Sequence, residues 1–361
     1  MKMKKIICSL MISVLCFMTA ISGVSATSYD TSKINAAYSK VVEYYKNNNN
    51  LNNADKILAV ESLGLEAESN QFDTSSADLS STSLSKKIVT EVLLGVDPTE
   101  DKETLESQID ENGNVEGSWG ASSDVWTLYA LYVTSSEKTN LIANKLNDEL
   151  AASSVCGYEW GGTYYADYDT TGWVIEGLAV VNKEKYATTI NKAIDYIKNN
   201  TTMTTTGWVT ADNVDTQSQV LEGMFAYDTN ALLNDSYTVH PVDCLLNTQL
   251  SDGSFPSGYN AEYTTAEVAK TLGTYKNGSV IIKAKKAYDK MMNPEQPDNT
   301  KPAQPTDTKK DSQSTNKVET TNQKTTSVKT GDETNVVIFA SLSMVSGGLF
   351  LVLRKEYERV H

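Results

Sequence analysis

The sequence predicts an all-α protein, folded as an α/α toroid of about six helical hairpins, on the basis of three observations. A twelve-residue pattern recurs, and its closing residues Leu131, Leu178, Met224 and Leu272 are 47, 46 and 48 residues apart. A nearly constant period of this size indicates an array of one repeated unit. A turn rich in glycine and aromatic residues precedes each copy. Finally, helices with charged faces alternate with helices that carry few charges, and no segment has the period-two alternation of a strand.

Each copy begins with small or acidic residues and continues into a helical stripe of apolar residues. The copies span residues 120–131, 167–178, 213–224 and 261–272. The preceding turns span residues 117–120, 159–164, 207–211 and 252–255. Glycine permits the backbone angles of a sharp turn, and an aromatic side chain fills the gap between neighbouring helices. We therefore expect four inner helices, each entered through such a turn.

The predicted domain covers residues 27–293 and contains further helices. A first helix covers residues 32–46, and two charge-poor helices cover 54–65 and 84–96. Helices with charged faces are expected at residues 99–109, 139–152, 183–199, 237–249 and 280–292. A charged face suits an outer position and a charge-poor helix suits an inner one. The two early charge-poor helices therefore join the four copies as six inner helices.

The N-terminal residues 1–26 have the pattern of a secretory signal peptide. Lys2, Lys4 and Lys5 precede an apolar run, and the small residues around Ala26 form a cleavage site. We expect the mature protein to be exported.

Composition limits the classes of ligand and cofactor. The net charge is −15 and no predicted helix carries a basic stripe, which argues against a nucleic-acid partner. The mature chain keeps only Cys156 and Cys244, with His240 as its one usable histidine, so no metal site and no cofactor are expected. In an oxidising compartment Cys156 and Cys244 could form a disulfide, and two buried thiols are the alternative.

The core from about residue 55 to 292 resembles the prenyltransferase and squalene-cyclase repeat superfamily, whose members are terpenoid-cyclase-like α/α toroids. The resemblance rests on the segment from Gln249 to Phe255, similar to the Q-x-x-D-G-S-[FW] turn of those repeats, and on Gly117-Ser118-Trp119-Gly120. The segment from Leu93 to Pro98 also resembles a turn of exported bacterial members. This likeness implies the fold and leaves the activity open.

The C-terminal part predicts a surface anchor. Residues 294–327 are rich in proline, threonine and lysine and poor in apolar residues, as in a disordered stalk. Residues 328–361 resemble a Gram-positive sortase sorting signal with the box Lys329-Thr330-Gly331 and a transmembrane helix at 336–353. The likeness implies cleavage after Thr330 and attachment to the cell wall. Since Ser327-Val328 replaces the usual Leu-Pro, a plain single-pass membrane anchor is the alternative.

One acidic segment is a candidate for catalysis. Residues 167–171 resemble the D-x-D-D-T motif of class II terpene cyclases, and the likeness implies that Asp169 would donate a proton. The competing interpretation is helix capping, because Asp, Ser and Thr at a helix start accept hydrogen bonds from free amides. A glycosidase is a second possibility, in which Glu159 pairs with Asp167 or Asp169 across a glycosidic bond.

Two other toroid functions fit the residues poorly. A thioester would need Gln where Glu159 follows Cys156, and a cobalamin-capturing toroid would need an added β-domain. The prediction is therefore a cell-surface binding or adhesion module for a glycan, a small molecule or a protein. An extracellular enzyme and cobalamin-type ligand capture are the alternatives. The expected ligand-binding residues are Trp160, Tyr164, Asp167, Asp169 and Asp215, at the mouth where the inner helices begin.

Overall fold

The computed structural model describes residues 29–68, 72, 80–200, 213–237 and 239–294, without the side chains of Glu159, Trp160 and Asn200. The predicted signal peptide, the stalk from residue 295 onward and the sorting signal with its helix at 336–353 lie outside these residues. Within the described ranges, no helix is both long enough and apolar enough to cross a membrane.

The described residues form eleven helices and one two-stranded hairpin, which confirms the all-α class. The helices are α1 Thr31–Asn47, α2 Ala54–Ser62, α3 Ser81–Leu93, α4 Thr99–Ser107, α5 Ala121–Val133, α6 Thr139–Ser153, α7 Tyr168–Asn200, α8 Val214–Asn234, α9 Pro241–Leu246, α10 Ala261–Asn277 and α11 Val280–Met292. Most start within three residues of the predicted start. The exception is α9, which begins at Pro241 rather than 237, because proline favours the first turn and His240 caps it through Nδ1.

Two long helices each contain a predicted inner and outer helix joined without a loop. The backbone of α7 is extended at Asn182, and that of α8 is extended at Asp228. Each of these residues also caps the segment that follows it. Asn182 Oδ1 accepts a hydrogen bond from the amide of Lys185, and Asp228 Oδ1 accepts one from the amide of Ala231, both at 2.9 Å. One residue therefore ends one helix and starts the next.

The expectation that no sheet would form is wrong at one place. Strands β1 Gly157–Trp160 and β2 Thr163–Ala166 pair as an antiparallel hairpin, with Tyr158 opposite Tyr165. The turn consists of Gly161 and Gly162, with φ values of 57° and 79°. Such a two-residue turn needs positive φ at both positions, which glycine adopts without strain. The Gly-Gly pair between two short aromatic segments was the signal for a hairpin.

Six helices form a closed cycle of contacts, and we call them the central helices. They are α2, α3, α5, residues 168–181 of α7, residues 214–227 of α8, and α10. Each contacts the next in this order, and α10 contacts α2. Neighbouring members meet at equivalent repeat positions, as in the contacts of Tyr129 with Glu176 and of Gln219 with Glu267. The central helices therefore run parallel, and their first turns lie at one common end.

Glycines bring some central helices into direct backbone contact. A Cβ atom on Gly223 of α8 would lie 2.2 Å from the carbonyl oxygen of Gly172 on α7. A Cβ atom on Gly273 of α10 would lie 2.6 Å from the backbone of Ser62 on α2. No side chain fits at these distances, so the small residues determine how closely the helices approach each other.

Helix α11 was predicted as an outer helix, and this position is wrong. It contacts four of the six central helices, which are α10, α2, α3 and α5. These four extend around more than half of the cycle. Lys283 of α11 forms an ion pair with Glu61 at the end of α2, at 2.6 Å, and also binds the carbonyl oxygen of Glu61. A buried stripe of Ile281, Ala284 and Tyr288 faces the other helices. Helix α11 therefore lies across the end where the central helices finish.

The close approach of α7 and α8 predicts that Gly223→Ala lowers the free energy of unfolding by about 1–3 kcal/mol, because the methyl group overpacks the contact. The loss is expected although alanine by itself favours a helix. Urea unfolding followed by far-UV circular dichroism measures it. Gly258→Ala is the matched control, since a Cβ atom there meets nothing within 4 Å. Equal stability of the two variants would contradict the close helix contact.

Candidate functional site

The centre of the helix cycle contains polar and aromatic side chains at three levels. The levels lie nine, five and two residues before the closing residue of each repeat, so they share one helical face. The mouth level consists of Ser122, Asp169, Asp215 and Tyr263. The middle level consists of Trp126, Trp173, Gln219 and Glu267. The lower level consists of Tyr129, Glu176, Glu222 and Lys270.

Lys270 is the cation at the centre of these levels. Its Nζ lies 3.0 Å from Glu267 and 3.9 Å from Glu222, and all three side chains are almost fully buried. It also lies 5.5 Å from the ring centroid of Trp126, on the opposite side of the cycle. Burial alone would lower the pKa of Lys270, but the neighbouring carboxylates raise it above its ordinary value. The lysine is therefore charged and spans the interior.

The remaining lower-level carboxylates are held by hydroxyl groups. Ser279, between α10 and α11, donates to Glu176 Oε1 at 2.6 Å, and Tyr129 donates to Glu176 Oε2 at 3.0 Å. Burial raises the pKa of Glu176 and raises that of Glu222 well above its usual range, with Lys270 opposing both shifts. These groups connect the centre of the cycle to the end covered by α11.

At the mouth level the predicted acidic residues have different roles. Asp167 caps α7, since its Oδ1 accepts from the amide of Thr170 at 3.1 Å and its Oδ2 from the Thr170 hydroxyl at 2.7 Å. Asn213 caps α8 instead of Asp215. Asp215 is buried, and its Oδ2 accepts a 2.6 Å hydrogen bond from the hydroxyl of Tyr259. The capping interpretation of residues 167–171 is therefore correct for Asp167, whereas Asp169 lies inside the first turn of α7.

Asp169 has a strongly shifted protonation equilibrium. Burial is the main cause that raises its pKa from 3.8 to about 7, and the charges of Asp167, Asp215 and Glu267 raise it further. Among the described residues, neither Asp169 nor Asp215 has a lysine as an ion-pair partner. A group that titrates near neutral pH can exchange a proton or bind a cation.

Exposed aromatic side chains surround this same end. Trp119 precedes α5, Tyr259 precedes α10, and Tyr158, Tyr164 and Tyr165 lie on the hairpin that precedes α7. Between 43 and 69% of each of these five residues is exposed. The rings of Tyr158 and Tyr165 stack with centroids 5.6 Å apart. We call these five residues the aromatic rim.

The structure describes part of the predicted site. Tyr164 lies on the rim, where its hydroxyl donates to the carbonyl oxygen of Val155 at 2.8 Å. Asp169 and Asp215 lie at the mouth level. Glu159 and Trp160 belong to β1, but their side chains fall outside the described residues, as do the turn at 207–211 and the sorting residues Lys329, Thr330 and Gly331.

Of the two alternatives for the cysteines, two buried thiols are correct: Cys156 and Cys244 are both buried and are not bonded to each other. Cys156 lies beside the start of α7, where its amide donates to the Thr171 hydroxyl. Cys244 belongs to α9, which packs on α1 and α8. Burial raises the pKa of both thiols, which disfavours the reactive thiolate.

The turn from Gln249 to Phe255 has a structural role. Gln249 donates through Nε2 to the carbonyl oxygens of Ala37 and Gly253, and Asp252 accepts from the amide and hydroxyl of Ser254. Phe255 is fully buried, and its amide donates to the Thr265 hydroxyl. Thr171 binds the amide of Cys156 at the equivalent repeat position. The threonine hydroxyl therefore anchors both of these turns to their helices.

No protein-family model matches this sequence, and no curated protein or solved structure is significantly similar to it.

The middle and lower levels were missed by the sequence analysis. They were visible in the repeat itself, because Gln219, Glu267, Glu176, Glu222 and Lys270 recur at fixed distances before the closing residues. Polar residues at one repeated position inside an otherwise apolar helix indicate a shared polar interior. Two surface grooves of about 250 and 300 Å³ lie beside α1 and include none of these residues.

Lys270→Met is expected to lower the free energy of unfolding by about 3–5 kcal/mol, because it leaves Glu267 and Glu222 buried without their cation. Urea unfolding measures the loss. Lys290→Met, on the exposed part of α11, is the control and should change little. Adding Glu267→Gln to Lys270→Met should recover part of the stability. A loss below about 1 kcal/mol would show that the ion pair is not needed.

The raised pKa of Asp169 predicts a pH-dependent stability. The folded state holds the Asp169 proton more tightly than the unfolded chain, so its contribution is favourable at low pH and is lost as pH rises from about 4 to about 7. Asp169→Asn should therefore stabilise the protein at about pH 8 and have less effect at about pH 5.

Urea unfolding at both pH values measures the difference, with Asp148→Asn on the exposed face of α6 as the control. The same effect of Asp169→Asn at both pH values would contradict the shift.

Proposed function

We propose that this chain is an α/α toroid displayed at the cell surface and that it binds a glycan at the aromatic rim. The closed cycle of six parallel central helices supports the toroid, with α1, α4, α6, α9 and the second halves of α7 and α8 outside it. One end of the cycle is covered by α11, so a ligand enters at the other end, where the central helices begin.

The aromatic rim carries this proposal. Five of the large hydrophobic side chains that are exposed in the described residues are aromatic, and all five lie in the segments just before α5, α7 and α10. Exposing aromatic surface to water is unfavourable, so a concentrated aromatic patch indicates a surface that is covered by a ligand. Flat rings stack on the apolar faces of sugars, while the carboxylates of Asp169 and Asp215 accept hydrogen bonds from hydroxyl groups.

Display at the surface rests on the sequence. The signal peptide at 1–26 would export the chain, the stalk at 294–327 would hold the toroid away from the envelope, and the sorting signal would join Thr330 to the cell wall through a sortase. In the alternative, the helix at 336–353 stays in the membrane as an anchor. In either case the toroid lies outside the cell.

A second candidate function is glycan cleavage. It is favoured by Asp169, whose pKa of about 7 suits a general acid, and by Asp215 nearby as a second carboxyl group. A terpenoid cyclase is less well supported, because an acid that protonates an alkene needs an apolar cavity. Asp169 instead interacts with Asp167, Asp215 and Glu267.

Replacing both stacked rim tyrosines tests the binding function. Tyr158→Ala/Tyr165→Ala should weaken the affinity for glycans by about tenfold or more, because stacking surface is lost. A glycan array with the full-length protein identifies the ligand, and calorimetry with that glycan measures the affinity. Ile282→Ala/Met292→Ala on α11 is the matched control, since both side chains are exposed at a distance from the rim.

Equal loss of affinity in the two double variants would contradict a binding site at the rim. Binding of no glycan on the array would contradict the function as a whole. Release of shorter saccharides by the native protein, abolished by Asp169→Asn, would instead establish the enzyme.

A further inference from the structure

Three carboxyl groups lie at and just below the mouth of the toroid. Tyr259 interacts electrostatically with Asp215, Asp169 and Glu267, so the three carboxyl groups lie within range of one another. The nearest described lysines have other partners. Lys270 lies below, between Glu267 and Glu222, and Lys86 pairs with Asp55 at 2.9 Å.

Two buried oxygen atoms below the mouth have no hydrogen-bond donor among the described residues. They are Oε1 of Gln219 and Oε1 of Glu267, on side chains that are each only 1% exposed. The Gln219 amide nitrogen donates to Glu267 Oε2 at 3.1 Å, which fixes the other amide atom as an acceptor. A buried acceptor without a donor is costly, so each such atom calls for a partner.

The kind of partner follows from these atoms. An ammonium group offers three donors and a positive charge, and therefore suits two carboxylates and one free oxygen. A bound metal is disfavoured, because no three carboxylate, histidine or cysteine side chains in the described ranges are arranged to hold one. The buried Nε1 of Trp173 also lacks a partner, and it requires an acceptor such as a sugar hydroxyl. Tyr259 and Tyr263, with centroids 6.1 Å apart, add aromatic faces that attract a cation.

We propose that the glycan bound at the rim carries a free amino group, as a de-N-acetylated amino sugar does. Its ammonium group binds between Asp169 and Asp215 and reaches the free oxygen of Gln219 or that of Glu267. This inference rests on the proposed glycan-binding function and names the chemical class of its ligand.

The test compares a glucosamine tetramer with the N-acetylglucosamine tetramer by calorimetry on the full-length protein. We expect the glucosamine tetramer to bind at least about tenfold more tightly than the N-acetylglucosamine tetramer. Acetylation removes the positive charge of the amino group and places an acetyl group where the ammonium group would bind. Asp215→Asn and Asp169→Asn should each reduce this preference to less than about threefold. Both variants keep a side chain of the same size, and circular dichroism verifies that they fold.

Glu43→Gln is the control for overall charge, because it removes one negative charge from the exposed face of α1 and should leave the preference unchanged. Equal affinity for the two tetramers, with both lost in the rim variant, would overturn the amino-sugar inference and leave glycan binding intact. Trilysine binding with the same Asp215→Asn sensitivity and no tetramer preference would also overturn it. If neither tetramer nor any arrayed glycan binds, the proposed function fails as well.

Discussion

The buried ion pairs of Lys270 are the interaction on which the centre of this protein depends. Glu222 and Glu267 lie on neighbouring helices α8 and α10, and without a cation between them two like charges would share a dry interior. A buried ion pair does not in general stabilise a fold more than apolar residues of similar volume would. Hydrophobic stabilisation comes instead from the layer between the central and outer helices, where Leu128, Ile142 and Leu146 are fully buried. A polar interior is therefore not the most stable choice for this fold, which is consistent with the proposed ligand-binding function.

The narrowness of the interior follows from small residues between the central helices. Gly172 and Gly223 bring α7 and α8 into backbone contact, and Gly273 brings α10 against α2. Closer helices leave less room along the centre, so one lysine side chain can cross from α10 to Trp126 on α5. Larger residues at these contacts would widen the cycle and separate Lys270 from the groups that keep it charged. The close packing at these glycines and the ion pairs of Lys270 are thus linked.

Much of the helix arrangement could be predicted, because the 47-residue period and the turn motifs reflect local rules. Helix starts follow from capping residues such as Asn53, Ser80 and Asn260, whose side chains accept from free amides. The position of α11 could not be predicted, because its amphipathic pattern fits an outer helix equally well. Tertiary contacts such as that of Lys283 with Glu61 distinguish the two positions.

The acidic residues at the mouth level of the candidate site were predicted, but the polar residues of the middle and lower levels were not. Asp169 and Asp215 stand out because acidic residues in a first turn are conspicuous in a sequence. Glu267 and Gln219 lie among apolar residues of the same helices, and their significance depends on which helix faces which. A disulfide between Cys156 and Cys244 was compatible with composition, but pairing requires proximity, which no count of cysteines provides.

The two ends of the central helices differ in a way that explains where a ligand can bind. Helix C-termini present unpaired carbonyl groups and partial negative charge, which cations and amides stabilise. At that end Lys283 binds the carbonyl oxygen of Glu61, and Asn277 donates to that of Ser62, so the protein satisfies these groups itself. At the opposite end the helix N-termini favour carboxylates in the first turn. Asp167 caps α7, whereas Asp169 and Asp215 do not cap a helix. Both lie next to an interior that contains hydrogen-bond acceptors without a donor. Lys86 and Lys56 also lie at the mouth end, but they pair with Asp55 and Glu262. Neither forms an ion pair with Asp169 or Asp215, so the mouth is the end at which an external cationic group completes the charge balance.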